Sequence, residues 1–242
     1  MDIREEALKM RRKAHGLLEI RAKVPLATRT DLSIAYTPGV AEPCKDIKAD
    51  PDLSFELTCR GNMVGIVTDG TRVLGLGDIG PVAAMPVMEG KALLFKTFGD
   101  VDAIPICLDA KDPEKFIEMV KRLEPTFGGI NLEDISSPKC YDIEDTLIEQ
   151  MNIPVFHDDQ HGTAIAALAT VLGGLRLVRK DLATARIVMN AAGVAGSAIG
   201  RLLVNAGGKN LIMVDMAGGL YDRMTGLNPV RAQPAHMTNP GT

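Results

Sequence analysis

Phe156-His157-Asp158-Asp159-Gln160-His161-Gly162-Thr163 follows a short apolar run from Ile153 to Phe156, and an earlier acidic pair, Glu133-Asp134, follows another from Phe127 to Leu132. Apolar runs this short read as strands buried on both faces. Each acidic pair is then expected where a strand emerges at its carboxyl end. Strands that deliver polar residues to one edge of a sheet, with helices between them, define an α/β protein. Four carboxylates, Glu133, Asp134, Asp158 and Asp159, would converge on that edge. Like charges so close repel and raise one another's pKa, so a cation in their midst is the physically sensible arrangement. Hard oxygen donors select Mg²⁺ or Mn²⁺ rather than zinc.

Two other readings of the same stretch compete. The acidic residues could be solvated turn residues capping the helices that follow. His157 and His161 also have the i, i+4 spacing of a zinc metalloprotease helix, but Asp158 stands where that motif needs Glu. Pro154 lies just upstream, and the apolar helical pattern begins only near Gly162, so zinc is disfavoured. His15 and His236 have no recognisable ligand setting.

Outward from the acidic pairs, strands are expected at Met63 to Thr68, Ala103 to Leu108, Gly129 to Leu132 and Pro154 to Phe156. Helices are expected at Val87 to Lys96, Pro113 to Glu124 and Ile143 to Asn152. This alternation implies a mostly parallel sheet with helices on its faces. Residues 2 to about 20 alternate charged and apolar positions at helical spacing, a helix expected to pack against the body or a second subunit.

At 242 residues the chain can hold one large or two small domains, and its 46% hydrophobic and 24% charged content is ordinary for a globular protein. A net charge of -4 gives no basic footprint, which argues against nucleic acid as the main partner. Cys44, Cys59, Cys107 and Cys140 stand far apart with no Cys-x-x-Cys pair, as in a reduced, cytoplasmic protein. No apolar core follows the first residues, and the longest apolar stretch, Ala164 to Leu172, is too short to span a bilayer. The expectation is a soluble, cytoplasmic chain that forms a homodimer or higher homo-oligomer.

Two glycine signatures compete for a dinucleotide. Gly75-Leu76-Gly77-Asp78-Ile79-Gly80 matches G-x-G-x-x-G, yet Pro81 and Pro86 follow where the phosphate-binding helix should begin, so a tight structural turn is the favoured reading. Ile187 to Asn190 instead reads as a strand leading into Ala191-Ala192-Gly193-Val194-Ala195-Gly196. A helix to about Asn205 and a second strand, Leu211 to Val214, follow, ending in Asp215. That order is the one a Rossmann unit requires, with the helix amino terminus aimed at a pyrophosphate and the acid at a ribose hydroxyl. Ala191 stands where the first glycine of the motif belongs. Met216 and Ala217 offer no cation to a 2′-phosphate, so NAD is expected over NADP.

Together these segments resemble the malic enzymes, in particular their smaller bacterial and archaeal type, over nearly the whole chain. The resemblance rests on Ala35-Tyr36-Thr37-Pro38-Gly39-Val40-Ala41, Thr68-Asp69-Gly70-Thr71-Arg72-Val73-Leu74-Gly75-Leu76-Gly77-Asp78, Met85-Pro86-Val87-Met88-Glu89-Gly90-Lys91, and the two acidic segments. It implies an amino-terminal catalytic domain, residues 1–160, and the first half of an NAD-binding domain, residues 161–242. By resemblance Tyr36 would be the general acid, Lys91 the general base and Asp158 its support. Arg72 would pair with a substrate carboxylate, and Glu133, Asp134 and Asp159 would ligate Mg²⁺ or Mn²⁺. Gly193, Val194, Ala195, Gly196 and Asp215 would hold NAD or NADP. The implied reaction is oxidative decarboxylation of malate to pyruvate and CO₂. The alternatives are a cofactor-independent, metal-dependent oxaloacetate decarboxylase and a catalytically silent assembly fragment.

A dinucleotide domain needs a second βαβ half, whereas residues 216–242 read as loop, with Gly218, Gly219, Gly226, Pro229, Pro234, Pro240 and Gly241 among them. On this reading the chain is truncated within its NAD-binding domain. Alone it would fail in hydride transfer and keep only slow oxaloacetate decarboxylation.

Overall fold

The structure is a computed structural model that describes residues 2–190, 192–216, 218–221, 224 and 235. Ala191, Ala217 and most of the tail read as loop lie outside the described residues. The chain divides into two compact units. One comprises residues 1–70, 78–131 and 147–155, the other residues 71–77, 132–146 and 156–242.

A four-stranded sheet has the order β2-β1-β3-β4, built from β1 (Met63–Thr68), β2 (Asp102–Cys107), β3 (Gly129–Leu132) and β4 (Val155–His157). β1 and β2 run parallel, with Met63 opposite Asp102 and Thr68 opposite Cys107. All four residues of β3 are buried, as expected for a strand covered on both faces. Every strand falls within a residue or two of its expected position.

The helix expected from Val87 begins seven residues earlier, because α5 spans Gly80–Gly99. Pro81 sits in its first turn, where no backbone N–H is required, so a proline there starts the helix rather than blocking it. Pro86 lies inside the helix, and Met88 and Ala92 pack with Ile66 and Ala103 to form the first unit's core. The first part of the G-x-G-x-x-G segment is a tight turn, although a helix does begin at its last glycine, contrary to what the prolines implied. Val73 bridges to Gly77 in antiparallel fashion, and Gly75 and Gly77 adopt φ 79° and 77°, conformations that a side chain would resist.

α1 (Ile3–Ala14) has no buried residue. Arg11 fixes it by a 2.6 Å ion pair to Glu89 and a 2.7 Å hydrogen bond to the Pro86 carbonyl. Three short helices that the periodicity did not reveal follow it: α2 (Arg29–Ala35), α3 (Ala41–Ala49) and α4 (Ser54–Leu57). α6 (Pro113–Lys121) connects β2 to β3, and α7 (Lys139–Gln150) connects β3 to β4. Cys140, Ile143, Glu144 and Leu147 are buried, one stripe of α7 at helical spacing.

In the second unit, α8 (Asp158–Leu177) begins at the acidic pair itself, four residues before the point expected from the apolar pattern. The two aspartates occupy its first turn, where negative charge is favoured by the helix dipole. β5 (Arg186–Asn190), α9 (Val194–Asn205) and β6 (Asn210–Asp215) follow in the anticipated order, with β5 and β6 parallel. β7 (Gly218–Gly219) pairs antiparallel with β6, so these two glycines belong to a strand and not to the loop expected of them. Leu203 on α9 packs against Leu211, Met213 and Leu220, with Leu168 and Leu172 of α8 alongside. Burying each such side chain stabilises by roughly 1.5–3 kcal/mol.

Candidate metal centre and dinucleotide unit

Glu133 and Asp134 leave the carboxyl end of β3, and Asp159 lies in the first turn of α8. One carboxylate oxygen from each can be chosen so that all three lie within 4.8 Å of one another. Glu133 and Asp134 are buried. Asp134 has φ 54°, a left-handed conformation that side-chain-bearing residues adopt at a cost of about 1–2 kcal/mol. Its backbone N–H donates to Asp159 Oδ2 at 3.0 Å, and its carbonyl accepts from the Arg72 N–H at 3.0 Å. Ser136 N–H donates to Thr71 Oγ1 at 3.0 Å, a second tie between the same two loops.

Three carboxylates gathered with two of them out of water are costly unless a cation joins them. The donor set is all oxygen, which fits Mg²⁺ or Mn²⁺ and not zinc. Of the four carboxylates expected to converge, Asp158 is the one outside this group. It opens α8, and its Oδ1 lies directly over Gly162, one turn further on.

The zinc alternative finds no support among the described residues. His157 is fully buried and precedes α8, so the helix does not run through both histidines. Its backbone N–H donates to Glu144 Oε1 at 3.0 Å, and its ring lies between Gln160 and Asp159. His161 Nε2 lies 2.9 Å from Glu144 Oε1. Glu144, buried with His157, Gln160 and His161 as its polar partners, escaped the sequence reading because a single glutamate in a helical stretch carries no signal. Its position on the stripe with Cys140, Ile143 and Leu147 was the available clue.

The remaining expected residues are distributed as follows. Tyr36 ends α2 and is 65% exposed. Lys91 lies on α5 and is half-buried, while the Arg72 side chain is exposed. Gly193 caps α9 with extended backbone and no side-chain hydrogen bond to the first turn. Open space surrounds the position where its Cβ would be. Asp215 closes β6, opposite Gly218. A turn of this kind before a helix amino terminus, with an acid at the end of the next strand, fits a dinucleotide. Close helix packing involves a glycine outside the expected motif: a Cβ on Gly200 would stand 2.9 Å from Met213 Sδ.

Comparison with known proteins bears on the same segments. The sequence model for "Malic enzyme, N-terminal domain" matches residues 15–148. The chain is 52% identical over 240 residues to a bifunctional malic/malolactic enzyme of Bacillus subtilis, covering 99% of this chain and 58% of that protein. It is 52% identical over 208 residues to an NADP-dependent malic enzyme of Escherichia coli, covering 85% of this chain and 27% of that one. The crystal structure of the NAD-dependent malic enzyme of Thermotoga maritima superimposes with a TM-score of 0.91 at 47% identity. That match covers 97% of this chain and 63% of the crystallised one. The chain thus spans between about a quarter and three-fifths of the length of these relatives. Among the described residues no helix is long and apolar enough to cross a membrane.

Proposed function

Because this chain belongs to the malic enzyme family, we propose that it serves the oxidative decarboxylation of malate to pyruvate and CO₂ with NAD(P) and a divalent metal. The observation that carries this reading is the meeting of Glu133, Asp134 and Asp159 at one point. These three would hold Mg²⁺ or Mn²⁺. Gly193, Val194, Ala195 and Gly196 would approach the pyrophosphate, and Asp215 would accept from a ribose hydroxyl. When bound, the dinucleotide accepts the hydride and the metal offsets the charge that develops on the enolate oxygen.

The chain's own groups handle the protons and the orientation. Lys91 takes the proton from the C2 hydroxyl of malate, and Asp158 is the supporting carboxylate. Arg72 pairs with a substrate carboxylate, for which a guanidinium offers two parallel N–H donors. Tyr36 returns a proton to C3 after CO₂ has left.

Incubation with malate, NAD⁺ or NADP⁺ and Mn²⁺ tests this directly. Reduced dinucleotide and pyruvate in equal amounts, both abolished by EDTA, would support this reading and overturn the expectation that the chain alone fails in hydride transfer. Pyruvate from oxaloacetate with Mn²⁺, without dinucleotide reduction from malate, would replace this reading with a cofactor-independent decarboxylase. Neither product from either substrate would mean a catalytically silent chain.

A further inference from the structure

Glu144, His157, Gln160 and Arg201 form a hydrogen-bonded chain that ends on the candidate metal ligand Asp159. Glu144, His157 and Gln160 are 3%, 0% and 1% exposed, so each polar atom there has been taken out of water and must be matched. The directions of the bonds are fixed by groups of one polarity only. Arg201 Nη2 lies 3.2 Å from Gln160 Oε1, and a guanidinium can only donate. The Gln160 amide is therefore oriented with its oxygen toward α9 and its nitrogen toward Glu144 Oε2, 2.6 Å away. That carboxylate also accepts from the His157 backbone N–H at 3.0 Å. The amide nitrogen has a second hydrogen, and it faces His157 Nδ1 at 3.0 Å.

A donor aimed at Nδ1 requires a lone pair there, which leaves the ring proton on Nε2. Nε2 lies 3.3 Å from Asp159 Oδ2. The same oxygen accepts from the Asp134 backbone N–H. Two donors on Oδ2 fix the rotation of this carboxylate and leave Oδ1 as its less committed oxygen among the described residues.

We propose that Gln160 is a positioning residue for the metal centre: by fixing His157 in the Nε2–H tautomer, it holds the carboxylate of Asp159 in a ligating orientation. Glu144 and Arg201 act one step further out by orienting the amide. This role rests on the metal site proposed above. Groups that orient a ligand in this way typically change metal affinity roughly 10- to 100-fold when removed.

Histidine-selective ¹⁵N NMR of the metal-free protein should show a pyridine-like Nδ1 and a pyrrole-like Nε2 for His157. Gln160→Met keeps the volume and removes the amide. It should mix the two tautomers and raise the Mn²⁺ dissociation constant roughly 10- to 100-fold by calorimetry. A wild-type spectrum with the proton on Nδ1 would overturn the proposal, and it needs no substitution that could disturb folding. A Gln160→Met protein with the wild-type tautomer and wild-type Mn²⁺ affinity would overturn it too. Loss of Mn²⁺ binding in Asp159→Asn within that series would leave the metal site standing. Retention of binding there would remove the metal site and the positioning role together.

Discussion

The backbone N–H of Asp134 donates to Asp159 Oδ2 at 3.0 Å, so two candidate ligands from separate strand-to-helix junctions fix each other. The left-handed backbone of Asp134 turns the chain after β3, and the first turn of α8 supplies the other half. Strain of up to about 1–2 kcal/mol at one residue is below the roughly 2.7 kcal/mol that an ion at a hundred times its dissociation constant contributes, and such strain concentrates at functional sites.

Gly162 separates fold from function within α8. A Cβ there would stand 2.1 Å from Asp158 Oδ1 and 2.9 Å from its Cγ, so that side chain, rather than any backbone, must move. Alanine also gains about 0.5–1 kcal/mol over glycine in a helix interior. Gly162→Ala is therefore expected to keep or raise the melting temperature while malate turnover falls, by up to roughly a hundredfold for a group misplaced by about 1 Å. Thermal unfolding beside steady-state kinetics checks this, and undiminished turnover would show that the orientation of Asp158 does not matter.

Gly200 should behave oppositely. Its Cβ would meet Met213 Sδ at 2.9 Å and Met189 Cε at 3.4 Å, and Met213 is fully buried. Overpacking a core costs about 1–3 kcal/mol, against a helix-propensity gain of about 1 kcal/mol. Gly200→Ala is expected to lower the urea midpoint with an unchanged slope. A neutral result would mean that the two methionines absorb the added methyl.

The placement of Asp215 at the end of β6 predicts tighter binding of NAD⁺ than of NADP⁺. The carboxylate accepts from a 2′-hydroxyl and repels a 2′-phosphate by about 1–4 kcal/mol at contact distance, which is about fivefold in affinity or more. Calorimetry that found NADP⁺ the tighter ligand would refute this.

Cys140 is buried on α7, and its thiol is pushed up to about 12 by desolvation first and then by the negative charges of Asp159 and Glu144. A group with a raised pKa stays protonated until the pH approaches that value, so at pH 8 only about one thiol in ten thousand is thiolate, the reactive form. Iodoacetamide at pH 8 should modify the exposed Cys44 and Cys59 and spare Cys140. Rapid labelling of Cys140 in the folded protein would contradict its burial.

Much of this was legible in the residues. Short apolar runs ending in acids located β3 and β4, and the strand, small-residue turn, helix and strand order located β5, α9 and β6. Helix starts were misjudged for one physical reason. Pro81 and the Asp158-Asp159 pair look like breakers by composition, yet proline and acids are favoured in a first turn. The short helices of residues 29–57 bury no side chain, so they left no periodic apolar face to read. Gln160 was invisible because its importance lies in partners that only folding brings together, and Glu144 showed only as a member of an apolar helical stripe. The left-handed turn at Asp134 likewise has no counterpart in composition.

Thermal unfolding with and without Mn²⁺, on the wild-type chain and on Asp159→Asn, tests the central claim most directly. An ion at a hundred times its dissociation constant stabilises by about 2.7 kcal/mol. For a chain of this size that raises the melting temperature by roughly 5–10 °C. The account predicts such a shift for the wild-type protein and none for Asp159→Asn. An equal Mn²⁺-induced shift in both proteins would contradict a metal centre at Glu133, Asp134 and Asp159.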